Sequence, residues 1–229
     1  MSLSVESRFV GRVCVIKCFG RLVNGVEAQA MESAFTRALQ DGNRLVVDTA
    51  EVNRVDSTGM GVLVRFLSRI KLQGGDLRLA APQPFLLRLL QLTKLSSVFR
   101  VYDSEEEAIL SFLKNPAGSG KNAVPEGPSV LFVDQSPDLC AFVRTLLNKN
   151  GYDAMSTCRI HDAKLLLSAG EVAFLVLGPN CSQLPCEEVI STLQPLARDA
   201  RLVQLEDGFE SYDAEQAASE LLKRLKSAK

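Results

Sequence analysis

Between Ser7 and Leu113 the spacing of apolar positions changes character several times, and the changes fall at glycine, proline or asparagine. "SRFVGRVCVIKC" alternates about Gly11, with Cys14, Ile16 and Cys18 on one face, the period-two pattern of two half-buried strands in a hairpin. From Asn24 the period lengthens. Ala30, Ala34, Ala38 and Met31, Phe35, Leu39 recur at helical spacing until Gly42, and Asn24 followed by Glu27 predicts a capping box. "RLVVDTAEV" predicts a buried strand, and "MGVLVRFLSRIKLQGG" a helix with Met60, Leu63, Val64, Leu67 and Ile70 on the core face before the Gly74-Gly75 stop. "DLRLAA" then predicts a strand, "PFLLRLLQLTKL" a helix begun at Pro84, "SVFRVY" a short strand, and "SEEEAILSFL" a helix with Ser104 and Glu107 at capping-box spacing. The order is ββαβαβαβα, an α/β mixed sheet with crossover helices.

At residues 115–128 the row turns to "NPAGSGKNAVPEGP", which predicts a flexible linker between domains at 1–114 and 129–229. Its "GSGK" lacks the phosphate-loop context: Asn115 stands where the first glycine belongs and Asn122 where Ser or Thr belongs. Beyond it, "SVLFVDQSPDLCAFVRTLLNKNGYDAMSTC" reads as strand, Pro-bearing turn, amphipathic helix and strand, "VAFLVLGPN" and "RLVQLE" as further strands, and the C-terminal segment as a turn and a final helix.

Composition narrows the function. The chain has 229 residues, 46% hydrophobic and 23% charged, with net charge -1 and pI about 6.0, so no basic field draws it to nucleic acid or an anionic membrane. Its apolar runs are shorter than a membrane span and its N-terminus lacks a signal-peptide pattern, so a cytoplasmic protein is expected. Cysteines at 14, 18, 140, 158, 181 and 186 show no C-x-x-C pair, which predicts buried thiols rather than a zinc site or disulfide framework. The only histidine, His161, opens a predicted helix. No acid/base pair, nucleophile-base pair or cofactor loop stands in the chain, so no enzyme activity, catalytic residue, metal or cofactor is expected.

The polar knot Asp56-Ser57-Thr58-Gly59 lies where a strand hands over to a helix. By residue type alone it reads first as an N-cap, at a position where a helix N-terminus also tolerates an anion. "CFGRL" at Cys18 to Leu22, "VDSTGMGVL", and "GGDLRLAAPQPFLLRLLQLTKLSSVF" together resemble the STAS domain of bacterial anti-sigma factor antagonists over about residues 5–113. That resemblance implies phosphorylation of the serine directly after the aspartate, here Ser57. The implied kinase has the histidine-kinase-like ATPase fold and is also the anti-sigma factor, and a metal-dependent serine phosphatase restores the serine. It implies a binding surface of Asp56, Thr58, Gly59 and Met60 with Asn24. Two positions depart from the family pattern: Val23 stands where many members carry an acidic residue, and Lys94 where they carry glycine. The first departure leaves room for a divergent kinase or a target other than a sigma factor.

The second segment resembles a response-regulator receiver, a flavodoxin-like α/β fold, in truncated and degenerate form. Gln135 follows Asp134 where a second acidic residue belongs, Gly178 replaces the acceptor aspartate, Leu205 or Glu206 stands at the hydroxyl position, and almost no chain remains for a fifth strand. Asp134 and Asp138 are then expected as turn and N-cap residues, and the domain as a pseudo-receiver for docking or homodimerisation. Two readings follow: a partner-binding module switched off by phosphate at Ser57, or a constitutive scaffold in which Ser57 is only a cap.

Overall fold

The computed structural model describes residues 2–114, 127–181, 185–205, 209 and 214–227. The chain falls into two compact units, Met1–Arg8 with Arg12–Ala123, and Phe9–Gly11 with Val124–Lys229. Most of the expected linker, residues 115–126 with the "GSGK" tetrapeptide, lies outside the described residues.

In the first unit the elements run β1 (Ser4–Val10), β2 (Val13–Leu22), α1 (Val26–Asp41), β3 (Arg44–Val55), α2 (Ser57–Leu72), β4 (Asp76–Ala80), α3 (Pro84–Leu92), β5 (Arg100–Tyr102) and α4 (Glu105–Lys114). Its strands are ordered β5-β4-β3-β2-β1. Strands β2 to β5 are parallel, whereas the two-residue link Gly11-Arg12 to β1 is short enough only for an antiparallel hairpin. Successive buried positions, Val13 to Ile16 and Leu45 to Val47, show that both sheet faces are covered, as crossover helices require. Helices α1 and α2 meet through Phe35 and Phe66, stacked 4.3 Å apart. The β2–β3 register sets Leu22 opposite Val55. That pairing brings the end of β2 beside the strand-to-helix junction.

Several expected boundaries move, each for a local reason. Asn24 does not cap α1. The cap position is Gly25, at φ 112, with no side-chain bond, a conformation natural to glycine and strained for other residues. Helix α2 begins at Ser57, three residues before Met60, because Asp56 caps it. Val64 leaves the expected core face and is only half-buried, while Val62 and Phe66 join it. Strand β5 is shorter than "SVFRVY" because Leu95–Ser97 forms a turn of 3-10 helix. Ser104 does cap α4, its hydroxyl accepting the Glu107 N–H at 3.1 Å.

The second unit runs β6 (Ser129–Val133), α5 (Pro137–Lys149), β7 (Asp153–Thr157), α6 (Ile160–Ala169), β8 (Phe174–Leu177), α7 (Cys186–Ala197), β9 (Arg201–Gln204) and α8 (Ala214–Ser227). Its strands lie parallel in the order β7-β6-β8-β9. The core gathers Val130, Phe132, Val143, Leu147, Val176, Leu221 and Leu225 between sheet and helices. Asp138 is not the α5 cap. Ser136 is, its hydroxyl accepting the Leu139 N–H at 3.2 Å. Asp134 is a turn residue as expected, its carboxylate accepting the N–H of Ser136 two residues on, but it is fully buried.

Candidate functional site

Residues from three elements converge where β3 passes into α2. The Asp56 N–H donates to the Leu22 carbonyl at the end of β2 (3.3 Å), and the Met60 N–H donates to the Asp56 carbonyl (2.9 Å), closing the first helical turn. The Asp56 carboxylate bridges outward: Oδ1 accepts the Gly59 N–H and Oδ2 the Asn24 N–H, both at 2.9 Å. These two hydrogen bonds, that of Gly59 first, hold the Asp56 carboxyl below its ordinary value. Asp56 therefore ties the β2–α1 loop to the helix start.

Ser57 is the first residue of the helix and is exposed. It is not the cap, so its hydroxyl is not committed to that role. The anion position expected at this helix N-terminus is already taken by the Asp56 carboxylate. A second negative group on Ser57 would stand beside that charge and point into solvent or a partner.

The remaining expected residues divide into surface and scaffold. Asn24 is exposed and meets the site through its backbone, not as a helix cap, while Thr58 is half-buried. Gly59 is buried, and a Cβ there would lie 2.1 Å from the Leu22 carbonyl oxygen. Glycine is thus required for α2 to pack this close to the end of β2. Met60 is 6% exposed and belongs chiefly to the core.

Beside Ser57 opens a cleft of about 720 Å³ whose lining combines Thr58, Met60, Gly61 and Val64 of α2 with Leu89 and Thr93 of the α3 region. Arg65 borders it and pairs with Glu32. The α2 half of this lining was legible in principle, since Ser57, Gly61 and Val64 recur at helical spacing. Leu89 and Thr93 carry no chemical signal and arrive only through tertiary packing.

In the second unit, Asp134 at the end of β6 accepts the Ser136 N–H (2.8 Å) and the Asn180 N–H (3.0 Å). Burial nonetheless holds its carboxyl above the ordinary value. A Cβ on Gly178 would fall 2.2 Å from Asp134 Oδ2. The carboxylate therefore fills the space that a side chain at position 178 would need. Leu205, at the expected hydroxyl position, is buried at 2% exposure, and Glu206 lies outside the described residues. His161 is exposed near the start of α6.

Comparison with known proteins agrees with this architecture for the first unit. Residues 4–108 match the family model of the STAS domain, and the first unit is a STAS domain. Over 67 residues the chain is 33% identical to a Thermotoga maritima protein named as a candidate anti-sigma factor antagonist, covering 29% of this chain and 59% of that protein. The chain thus spans about three fifths of this relative's length. It is 25% identical over 99 residues to BtrV of Bordetella bronchiseptica, likewise named as a candidate anti-sigma factor antagonist, covering 43% of this chain and 85% of BtrV. A crystal structure of a candidate anti-sigma factor antagonist from Thermotoga maritima is similar at 26% identity and a TM-score of 0.44, over 47% of this chain and 92% of that one. Among the described residues no helix is long and apolar enough to cross a membrane.

Proposed function

We propose that this protein is a phospho-switched regulator of the anti-sigma factor antagonist kind, not an enzyme. Its first unit binds a serine kinase that is also an anti-sigma factor, with the histidine-kinase-like ATPase fold, and phosphorylation of Ser57 releases that partner. A metal-dependent serine phosphatase returns it to the binding form. The observation that carries this reading is the exposed Ser57 directly after the capping Asp56, at the rim of the cleft between α2 and α3. The STAS match and the names of the two curated relatives support it.

The mechanism follows from the crowding of charge. The kinase moves the γ-phosphoryl group of ATP to Ser57 Oγ, adding about -1.5 to -2 charges. With Asp56 already bonded to Gly59 and Asn24, the phosphate projects from the surface instead of settling on the helix N-terminus. A partner packed against Ser57 and Thr58 loses both space and electrostatic match. A loss of ~2 kcal/mol weakens binding about 30-fold.

For the second unit the reading is a pseudo-receiver that docks a partner or a second copy, joined through a linker at 115–128. The parallel order β7-β6-β8-β9 corresponds to the flavodoxin-like order without its last strand. The burial of Asp134 against Gly178 supports a docking role over phosphorelay. The constitutive scaffold is the competing account.

The test is phosphopeptide mapping of the full chain after incubation with ATP and the host's soluble extract, followed by calorimetry against the captured kinase. Tryptic peptide 55–65 contains both Ser57 and Thr58, and fragmentation should place the phosphate on Ser57. Phosphate on Thr58 alone, or equal binding by both forms, would overturn the switch and favour the scaffold.

A further inference from the structure

Two cysteines that the proposed switch does not use lie together in the second unit. Cys140, on the first turns of α5, and Cys158, one residue past β7, have sulfurs 3.7 Å apart sharing a hydrogen bond. Cys140 is 4% exposed, with its sulfur also 3.2 Å from the Asp134 carbonyl oxygen, whereas Cys158 is half-buried. We propose that Cys140 and Cys158 form a reversible disulfide when the protein meets a hydroperoxide, making the pair an oxidative modification site.

Bond formation requires the sulfurs to close from 3.7 Å to about 2.05 Å. Cys158 reacts first because it is the less buried residue of the pair. The shared hydrogen bond holds its thiol below the ordinary value, while the same bond and then burial push Cys140 up. The Cys158 thiolate attacks the terminal peroxide oxygen; the O–O bond breaks, an alcohol or water leaves, and Cys158 becomes a sulfenic acid. The Cys140 sulfur then displaces hydroxide from Cys158. The S–S bond forms, the S–O bond breaks, and the Cys140 proton leaves with hydroxide as water. Two thiols lose two electrons to one peroxide, and a dithiol reductant reverses the step. The bridge ties the first turns of α5 to the end of β7, beside the loop that holds Asp134.

Cys14 and Cys18 are buried in the first unit, where Cys18 lies 3.6 Å from the Met31 sulfur. Cys181 is also buried, and the half-buried Cys186 shares a hydrogen bond with it, so these two form the pairing that competes with Cys140 and Cys158. These serve as internal controls for selectivity.

The experiment oxidises the full chain with one equivalent of hydrogen peroxide, blocks remaining thiols with iodoacetamide, and maps non-reduced tryptic peptides by mass spectrometry. The expected product links peptides 122–144 and 150–159, with a loss of about 2 Da relative to the two thiols, restored by dithiothreitol. Cys140→Ser should accumulate a dimedone-trappable sulfenic acid on Cys158, whereas Cys158→Ser should leave Cys140 unmodified. Oxidation in urea should remove the preference for this pair. A folded wild-type protein whose Cys158 proceeds to sulfinic acid, or whose link to Cys140 is no more abundant than other pairings, overturns the proposal. That map decides the matter even if a serine variant fails to fold.

Discussion

Two glycines on the same helix should respond in opposite ways to one added methyl group. At Gly59 the new Cβ would stand 2.1 Å from the Leu22 carbonyl oxygen, 2.8 Å from Leu22 Cγ and 2.9 Å from its carbonyl carbon, whereas at Gly61 nothing lies within 4 Å. Relief at Gly59 must come from backbone. Helix α2 has to withdraw by about 1 Å to restore ordinary contact. Overpacking of this kind costs 1–3 kcal/mol, and a backbone obstacle places Gly59→Ala near ~3 kcal/mol. The withdrawal also stretches the Asp56 N–H bond to Leu22 and the Asn24 N–H bond to Asp56, so Ser57 shifts with the helix. Gly61→Ala meets no such obstacle and should stabilise the helix by about 0.5–1 kcal/mol through its backbone entropy. Hydrogen exchange of peptide 55–65, with urea titrations alongside, separates the two. A ~3 kcal/mol loss opens α2 roughly 150-fold more often, while the Gly61 variant should exchange a few-fold more slowly than wild type. If Gly59→Ala is as protected as Gly61→Ala, the close approach to Leu22 does not constrain this junction and the account of Gly59 as scaffold fails. Because Gly61 also lines the cleft, affinity of the Gly61 variant for the proposed kinase reports whether a partner enters there.

Three further outcomes are expected. Lys94 sits at φ 58 and ψ 22, so Lys94→Gly should raise unit stability by up to ~1 kcal/mol in thermal melts while Lys94→Ala does not; destabilisation by the glycine would refute strain at this turn. Gly178→Ala should eject the Asp134 carboxylate from the Ser136 and Asn180 N–H groups at a cost of ~3 kcal/mol, and adding Asp134→Ala should recover part of it; strictly additive losses would sink the steric argument. The two aspartates should give opposite pH dependences. Asp134, raised above 3.8, favours folding at acid pH, and that contribution is lost as pH climbs through its folded value. Asp56, lowered below 3.8, contributes above that value and is lost as pH falls through its own folded value. Melting curves of Asp134→Ala and Asp56→Ala against wild type from pH 3 upward check the signs.

The fold was most legible where burial is periodic. Met60, Leu63, Leu67 and Ile70 recur on one stripe and are all buried, because a helix against a sheet needs just that spacing. Val64 falls beside the stripe and borders the cleft instead, a distinction made by α3. Asn24 shows the limit of short-range signals: its capping spacing is intact, but Gly25 takes the cap position, and Asn24 serves through a backbone N–H that every residue but proline carries. Lys94 keeps a left-handed conformation without the glycine that would announce it. Helix α7 carries Pro195 near its C-terminal end, which interrupts the helical pattern in the row. In the second unit Gly178 was plain in the row, but not that the Asp134 carboxylate occupies the space a side chain there would need. A one-letter string carries no record of side-chain volume shared between residues 44 positions apart.

The contact between Asp134 and Gly178 also governs the order in which sequence change can proceed. An aspartate placed at position 178 on its own meets the carboxylate already seated there and brings a second negative charge into a buried place, at a cost of several kcal/mol. Truncating Asp134 first clears the room but abandons the Ser136 and Asn180 N–H groups. Either route passes through a destabilised intermediate, so the pair behaves as a ratchet: simultaneous change crosses it, stepwise change is held back. A laboratory effort to build phosphorylation into this unit would therefore do better to randomise positions 134 and 178 together than to graft an acceptor alone.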